Sequence, residues 1–130
     1  MDIAENVAIV RSRIAEAALA AGRRPEDIRL VAATKMNDAA RVQQAIKAGV
    51  GICGENRLQE MLEKNAQAAY AGARLHFIGH LQKNKVKQVV GTAALIESVD
   101  SEELMRLIDR CAASKGICQD ILLEVNIGGE

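Results

Sequence analysis

Apolar residues near the start of the chain recur at three- and four-residue steps, through Ile3, Val7, Val10, Ile14, Ala18 and Ala21. That spacing predicts a helix with one apolar stripe, opened by Asp2 with Glu5 in capping-box position and ended at Gly22. Beyond Pro25, the single proline, Leu30-Val31-Ala32-Ala33-Thr34 is a short unbroken apolar run, the pattern of a strand buried on both faces. A second helix, capped by Asn37 or Asp38, turns Val42, Ala45 and Ile46 inward and stops at Gly49. Val50 to Cys53 reads as a second strand. Leu58, Leu62, Ala66 and Ala69 mark a third helix, and Leu75 to Ile78, bounded by Gly72 and Gly79, a third strand. A short helix around Lys83 to Val90 precedes a fourth strand at Leu95 to Val99. Ser101 then caps a helix with Leu104, Leu107, Ile108 and Cys111 inward, ended by Gly116, and Ile121 to Ile127 is the fifth strand.

Strands alternating with helices, with no tight hairpin signal, require right-handed crossovers and therefore an α/β fold with a parallel sheet. No linker interrupts the pattern, so residues 1–130 read as a single domain. Two architectures remain open at this point: a doubly wound five-stranded sheet, and part of an eight-stranded TIM-type barrel.

Charge and composition narrow the function classes. The 17 Lys+Arg balance the 17 Asp+Glu, and a formal net charge of zero removes the bulk attraction on which nucleic-acid binding usually draws. No apolar run reaches the roughly 18 residues of a membrane span, and the N-terminus lacks the basic and apolar regions of a secretory signal. Cys53, Cys111 and Cys118 are odd in number and contain no Cys-x-x-Cys pair, which favours reduced thiols over a metal site. The expectation is a cytoplasmic chain with no nucleic-acid partner, no membrane association and no metal.

Parallel sheets place binding groups just past the carboxyl ends of their strands. Those positions are Lys35, Gly54-Glu55-Asn56, Gly79-His80-Leu81-Gln82, Asp100, and Asn126 with Gly128. An ammonium at the mouth of an apolar strand is partly stripped of water, which favours the neutral amine and makes Lys35 a candidate for Schiff-base chemistry. The plain alternative is a lysine that snorkels into solvent. Asn56, at the opening of the third helix, could hold an anionic or phenolic oxygen of a ligand, or could be an ordinary N-cap. His80 can reach a ligand at the mouth, while His76 is expected to pack at the start of its strand. The two bracket a strand rather than sharing a helix face, so a metal pair is not expected. Lys83, Lys85 and Lys87 lack interleaved aromatics and read as a solvated helix face. A phosphoacceptor site would need carboxylates after the first strand, and a dinucleotide site a Gly-x-Gly-x-x-Gly; neither is present.

Three strings carry a family likeness: Leu30-Val31-Ala32-Ala33-Thr34-Lys35; Gly54-Glu55-Asn56 with Gln59-Glu60; and His76-Phe77-Ile78-Gly79-His80-Leu81-Gln82 with Asn84-Lys85. In order and spacing the chain resembles the pyridoxal-phosphate homeostasis proteins along its whole length. The resemblance implies a barrel like the N-terminal domain of alanine racemase. It implies pyridoxal 5′-phosphate held as an internal aldimine on Lys35, with Asn56 and His80 as further cofactor contacts. It also implies a protein that binds, buffers and delivers the cofactor without being an enzyme itself. Two departures stand out. No proline follows soon after Lys35, and the chain stops at Glu130, after about five strands, where the family continues for several strand-helix units. The domain is therefore expected to be the N-terminal part of a barrel, with the phosphate loop of the later strands lying beyond it. Exposed sheet edges would favour self-association. The competing expectation is a non-catalytic half-barrel interaction module that needs a partner chain or a missing C-terminal half, with little cofactor binding of its own.

Overall fold

The computed structural model describes residues 2–129. Helix α1 (Ile3–Ala20) opens with the anticipated capping box: the Asp2 carboxylate accepts from the Glu5 N–H, and the Glu5 carboxylate accepts from that of Asp2. The chain then alternates through β1 (Ala32–Ala33), α2 (Ala39–Lys47), β2 (Ile52–Glu55), α3 (Leu58–Ala66) and β3 (Arg74–Phe77). A turn of 3₁₀ helix at Lys83–Lys85 runs into α4 (Val86–Val89), followed by β4 (Leu95–Val99), α5 (Glu102–Ser114) and β5 (Asp120–Leu123). Asp38 and Ser101 cap α2 and α5 by accepting from the backbone N–H three residues on.

All four strand pairings are parallel, and the sheet order is β1-β2-β3-β4-β5. This order separates the two architectures. A doubly wound sheet reverses direction at a switch point, whereas strands laid down strictly in chain order through right-handed crossovers keep every helix on one face and begin a barrel wall. The helix-side face is closed: Cys53, Leu75, Phe77 and Ile96 are buried there with Val42, Met61, Val89, Leu104 and Ile108 from the helices. The opposite face is open, with Ala33 exposed and Ile52, Leu95 and Glu97 half-buried.

Several expectations are corrected. The first strand is two residues long and not buried on both faces, because β2 is its one neighbour among the described residues and its inner face meets no second layer. Strand β2 begins and ends two residues later than the apolar pattern implied, so Gly54 and Glu55 lie inside the strand rather than past it. Strand β5 ends at Leu123, leaving Val125 and Ile127 exposed. On α1, Val10 is exposed despite its place in the stripe, since the main contacts of α1 are with α2 and the 3₁₀ turn at Pro25–Asp27 and not with the sheet.

Candidate functional site

Because every strand runs the same way, the segments after β1, β2 and β3 emerge at one end of the sheet, and Lys35, Asn56 and His80 are brought to it together. Ala33 pairs with Gly54, and Glu55 with Phe77, so Thr34-Lys35 and Asn56 leave the sheet side by side. Gly54 is buried in this wall; a Cβ built on it would stand 2.8 Å from Ile78 Cδ1 and 3.1 Å from Val31 Cγ1. At the next loop the fit is closer still. A Cβ on Gly79 would fall on the carbonyl oxygen of Asn56 and 2.6 Å from its Cα, so glycine alone lets the loop bearing His80 press on the peptide of Asn56.

The three candidate side chains are not buried. Lys35 and His80 are exposed and Asn56 is half-buried. The water-stripped setting anticipated for Lys35 is therefore not built by the described residues, as β1 is an edge strand here. Asn56 is not the cap of α3 either: Arg57 holds the N-cap position, without a side-chain hydrogen bond. His76 does not sit at the start of β3 but third in it, where its Nδ1 lies 2.9 Å from Glu97 Oε2 of β4.

What holds Lys35 is the backbone on either side of it. On its N-terminal side, Thr34 is buried, and its carbonyl oxygen accepts from the Lys64 ammonium at 2.7 Å. On its C-terminal side, the Met36 N–H donates to Glu60 Oε1 at 2.5 Å, with Met36 in the left-handed region at φ 63. The Lys35 carbonyl oxygen accepts from the side chain of Asn37 at 3.0 Å. Lys64 reaches these groups from α3, with its side chain only 6% exposed, and also lies 2.7 Å from Glu55 Oε2 and 3.0 Å from Glu60 Oε1. Three acceptors meet the three protons of one ammonium. Tyr70 completes the cluster by donating its hydroxyl to Glu55 Oε2 at 2.7 Å.

The electrostatics follow from burial. Desolvation, reinforced by the hydrogen bond and charge of Glu55, pushes the Tyr70 phenol far up, so it stays protonated and remains a donor. The Cys53 thiol is pushed up to about 11, first by burial and then by the Glu55 charge, against the opposing pull of Lys64. Burial raises the Glu60 carboxyl, but the hydrogen bonds from Lys64 and Met36 and the nearby positive charges outweigh it and hold the group below its usual range.

The match of residues 2–130 to the sequence pattern described as alanine racemase, N-terminal domain, decides the family. The chain belongs to the alanine racemase N-terminal domain family. Within it, the chain is 38% identical over 130 residues to the pyridoxal phosphate homeostasis protein of Aquifex aeolicus, covering 100% of this chain and 57% of that one. It is 39% identical over 128 residues to the protein of the same name from Pseudomonas aeruginosa, at 98% and 56% coverage. Among solved structures, PipY of Synechococcus elongatus, determined with PLP bound, superposes with a TM-score of 0.83 at 33% identity, covering 97% of this chain and 55% of that one. The chain thus spans about half the length of the curated relatives it matches. The likeness carried by the three strings and the barrel-type α/β fold are both borne out.

The cluster behind Lys35 is not evident from sequence. Glu55 and Glu60 sit within one of the three strings, yet Lys64 looks like one more charge on a helix surface. The available signal is the spacing of Glu60 and Lys64, one helical turn apart, with Lys64 continuing the three-residue steps of the buried Leu58 and Met61.

Proposed function

We propose that this chain binds pyridoxal 5′-phosphate through Lys35, as the N-terminal, cofactor-holding part of a non-catalytic pyridoxal-phosphate homeostasis protein. The observation that carries it is an exposed primary amine whose flanking peptides are tied down at the carboxyl end of a parallel sheet, beside Asn56. The cofactor supplies an aldehyde that condenses reversibly with a primary amine. Lys35 is the residue placed to offer that amine. Asn56 lies next to it with an amide able to donate to a phenolic oxygen, and His80, on the loop pressed against Asn56, is close enough in the fold to line the same ligand. Relatives named for homeostasis rather than racemisation support binding without turnover, and three free cysteines fit a reducing, cytoplasmic setting.

The test is to add pyridoxal 5′-phosphate, reduce with borohydride and map the labelled peptide. Label concentrated on Lys35 and lost in Lys35→Ala supports the reading; label spread over surface lysines with no preference for Lys35 overturns it.

A second reading, a half-barrel interaction module with little cofactor binding, is favoured by the exposed row Leu123, Val125 and Ile127 at and beyond edge strand β5. Melting temperatures that rise with protein concentration would favour it, and a concentration-independent monomeric transition would count against it.

A further inference from the structure

An exposed lysine side chain at an edge strand has many rotamers, yet the peptide units flanking Lys35 are tied down by one buried group. We infer that Lys64 and Glu60 are positioning residues, clamping the backbone on both sides of Lys35 from behind the sheet so that its amine is presented at the sheet mouth. The inference rests on the reading that Lys35 carries the cofactor, and deepens it by naming what aims the amine.

The geometry is specific. A single oxygen, Glu60 Oε1, takes both the Met36 N–H at 2.5 Å and the Lys64 ammonium at 3.0 Å, while the same ammonium holds the Thr34 carbonyl at 2.7 Å. Lys64 is thereby a bridge between the residue before Lys35 and the acceptor of the residue after it. Strand pairing alone is a weak anchor at this point: β1 has two residues and pairs on one side, and past it Thr34 donates its N–H to the Gly54 carbonyl at 3.0 Å. The turn at Met36, with φ 63 on a side chain bearing a Cβ, is a costly conformation that needs such external support. Glu55 and Tyr70 keep the bridge in place: Glu55 supplies Lys64 with its buried counter-charge, and Tyr70 hydrogen-bonds the same carboxylate oxygen. Effective concentration of an amine toward an aldehyde depends on how narrowly its backbone is held, so the clamp acts on condensation without touching the ligand.

The variants are chosen to separate a clamp from general support. Glu60→Ala removes the shared acceptor at a partly exposed helix position where alanine is well tolerated, and Glu60→Gln keeps an amide oxygen able to accept both bonds. Lys64→Met removes the bridge itself. Two quantities are read on the 130-residue chain: exchange of the Met36 amide hydrogen without cofactor, and the share of borohydride-fixed pyridoxyl label on Lys35 relative to all other lysines. For Glu60→Ala the expected results are amide exchange faster by about tenfold and a Lys35 share several-fold lower, with Glu60→Gln restoring both toward the parent values. Loss of stability alone would change neither the ratio among lysines in folded protein nor the rescue by glutamine. If Lys64→Met does not fold, the Glu60 pair alone decides between a clamp and general support. An unchanged Lys35 share in Glu60→Ala, with the parent chain labelled at Lys35, overturns the clamp and leaves the cofactor site standing. A parent chain without preference for Lys35 removes the cofactor reading, and the inference built on it, irrespective of the exchange data.

Discussion

Charge is used in two unlike ways in two regions of this molecule. Behind Lys35, Lys64 and Glu55 are almost wholly removed from water, with side chains 6% and 0% exposed, and every proton of the ammonium has an acceptor. On the outer surface of α5, Arg106 meets Glu102 one turn away with both side chains about 70% exposed, and Glu103 meets Lys83 in the same manner. The first kind of pair is costly to assemble and strongly destabilising to break, because each partner left alone is a buried charge; the second exchanges freely with water. The first kind lies beneath one exposed lysine and ties the peptides on either side of it to the core, while the second is spread over the solvent face.

The sharpest way to break this contrast is Lys64→Met, which strands Glu55 in the core: the expected loss is about 4 kcal/mol of stability, read as a lowered urea midpoint. Next is Gly79→Ala, whose methyl would collide with the Asn56 backbone rather than with a yielding side chain. About 3 kcal/mol should be lost, and the Asn56 and His80 resonances should shift together. Stability at high pH depends on Cys53. Cys53 titrates near 9.0 when unfolded and is pushed up to about 11 in the fold, so above pH 9 the unfolded state loses its proton first and stability falls as pH rises toward 11. The loss is on the order of 2 kcal/mol by the end of that window, and Cys53→Ala should flatten the profile between pH 9 and 11. At neutral pH the exposed Cys118 should react with iodoacetamide long before Cys53. The smallest effect belongs to the other end of the comparison: Arg106→Ala should cost about 0.4 kcal/mol, and added salt should erase most of the difference.

Much of the architecture was legible because it depends on local rules. The capping box at Asp2, the cap at Ser101 and strand four at Leu95 to Val99 follow from periodicity and terminal chemistry that act within a few residues, and the same rules narrowed the cap of α2 to Asn37 or Asp38, of which Asp38 holds it. Barrel against open sheet was not legible from periodicity, since the difference lies in which strands are neighbours, and that is set by long-range packing. The C-terminal edge of β2 was misplaced because an acidic residue there broke the apolar pattern, although Glu55 is among the most buried side chains in the molecule. At the site, Lys35, Asn56 and His80 stood out by position, as polar residues just past strand ends. Lys64 did not, because a lysine in the last turn of a helix reads as surface unless its partners are known, and Glu55 and Thr34 approach it only through the tertiary fold.

The contact between Gly79 and the peptide of Asn56 also fixes how the two loops sit. With no side-chain atom between them, the two loops touch backbone to backbone, and a change at Gly79 is expected to be felt at Asn56 before any other residue. The shape of the rim at this end of the sheet is therefore set by one missing methyl group, and lengthening either loop should displace the other.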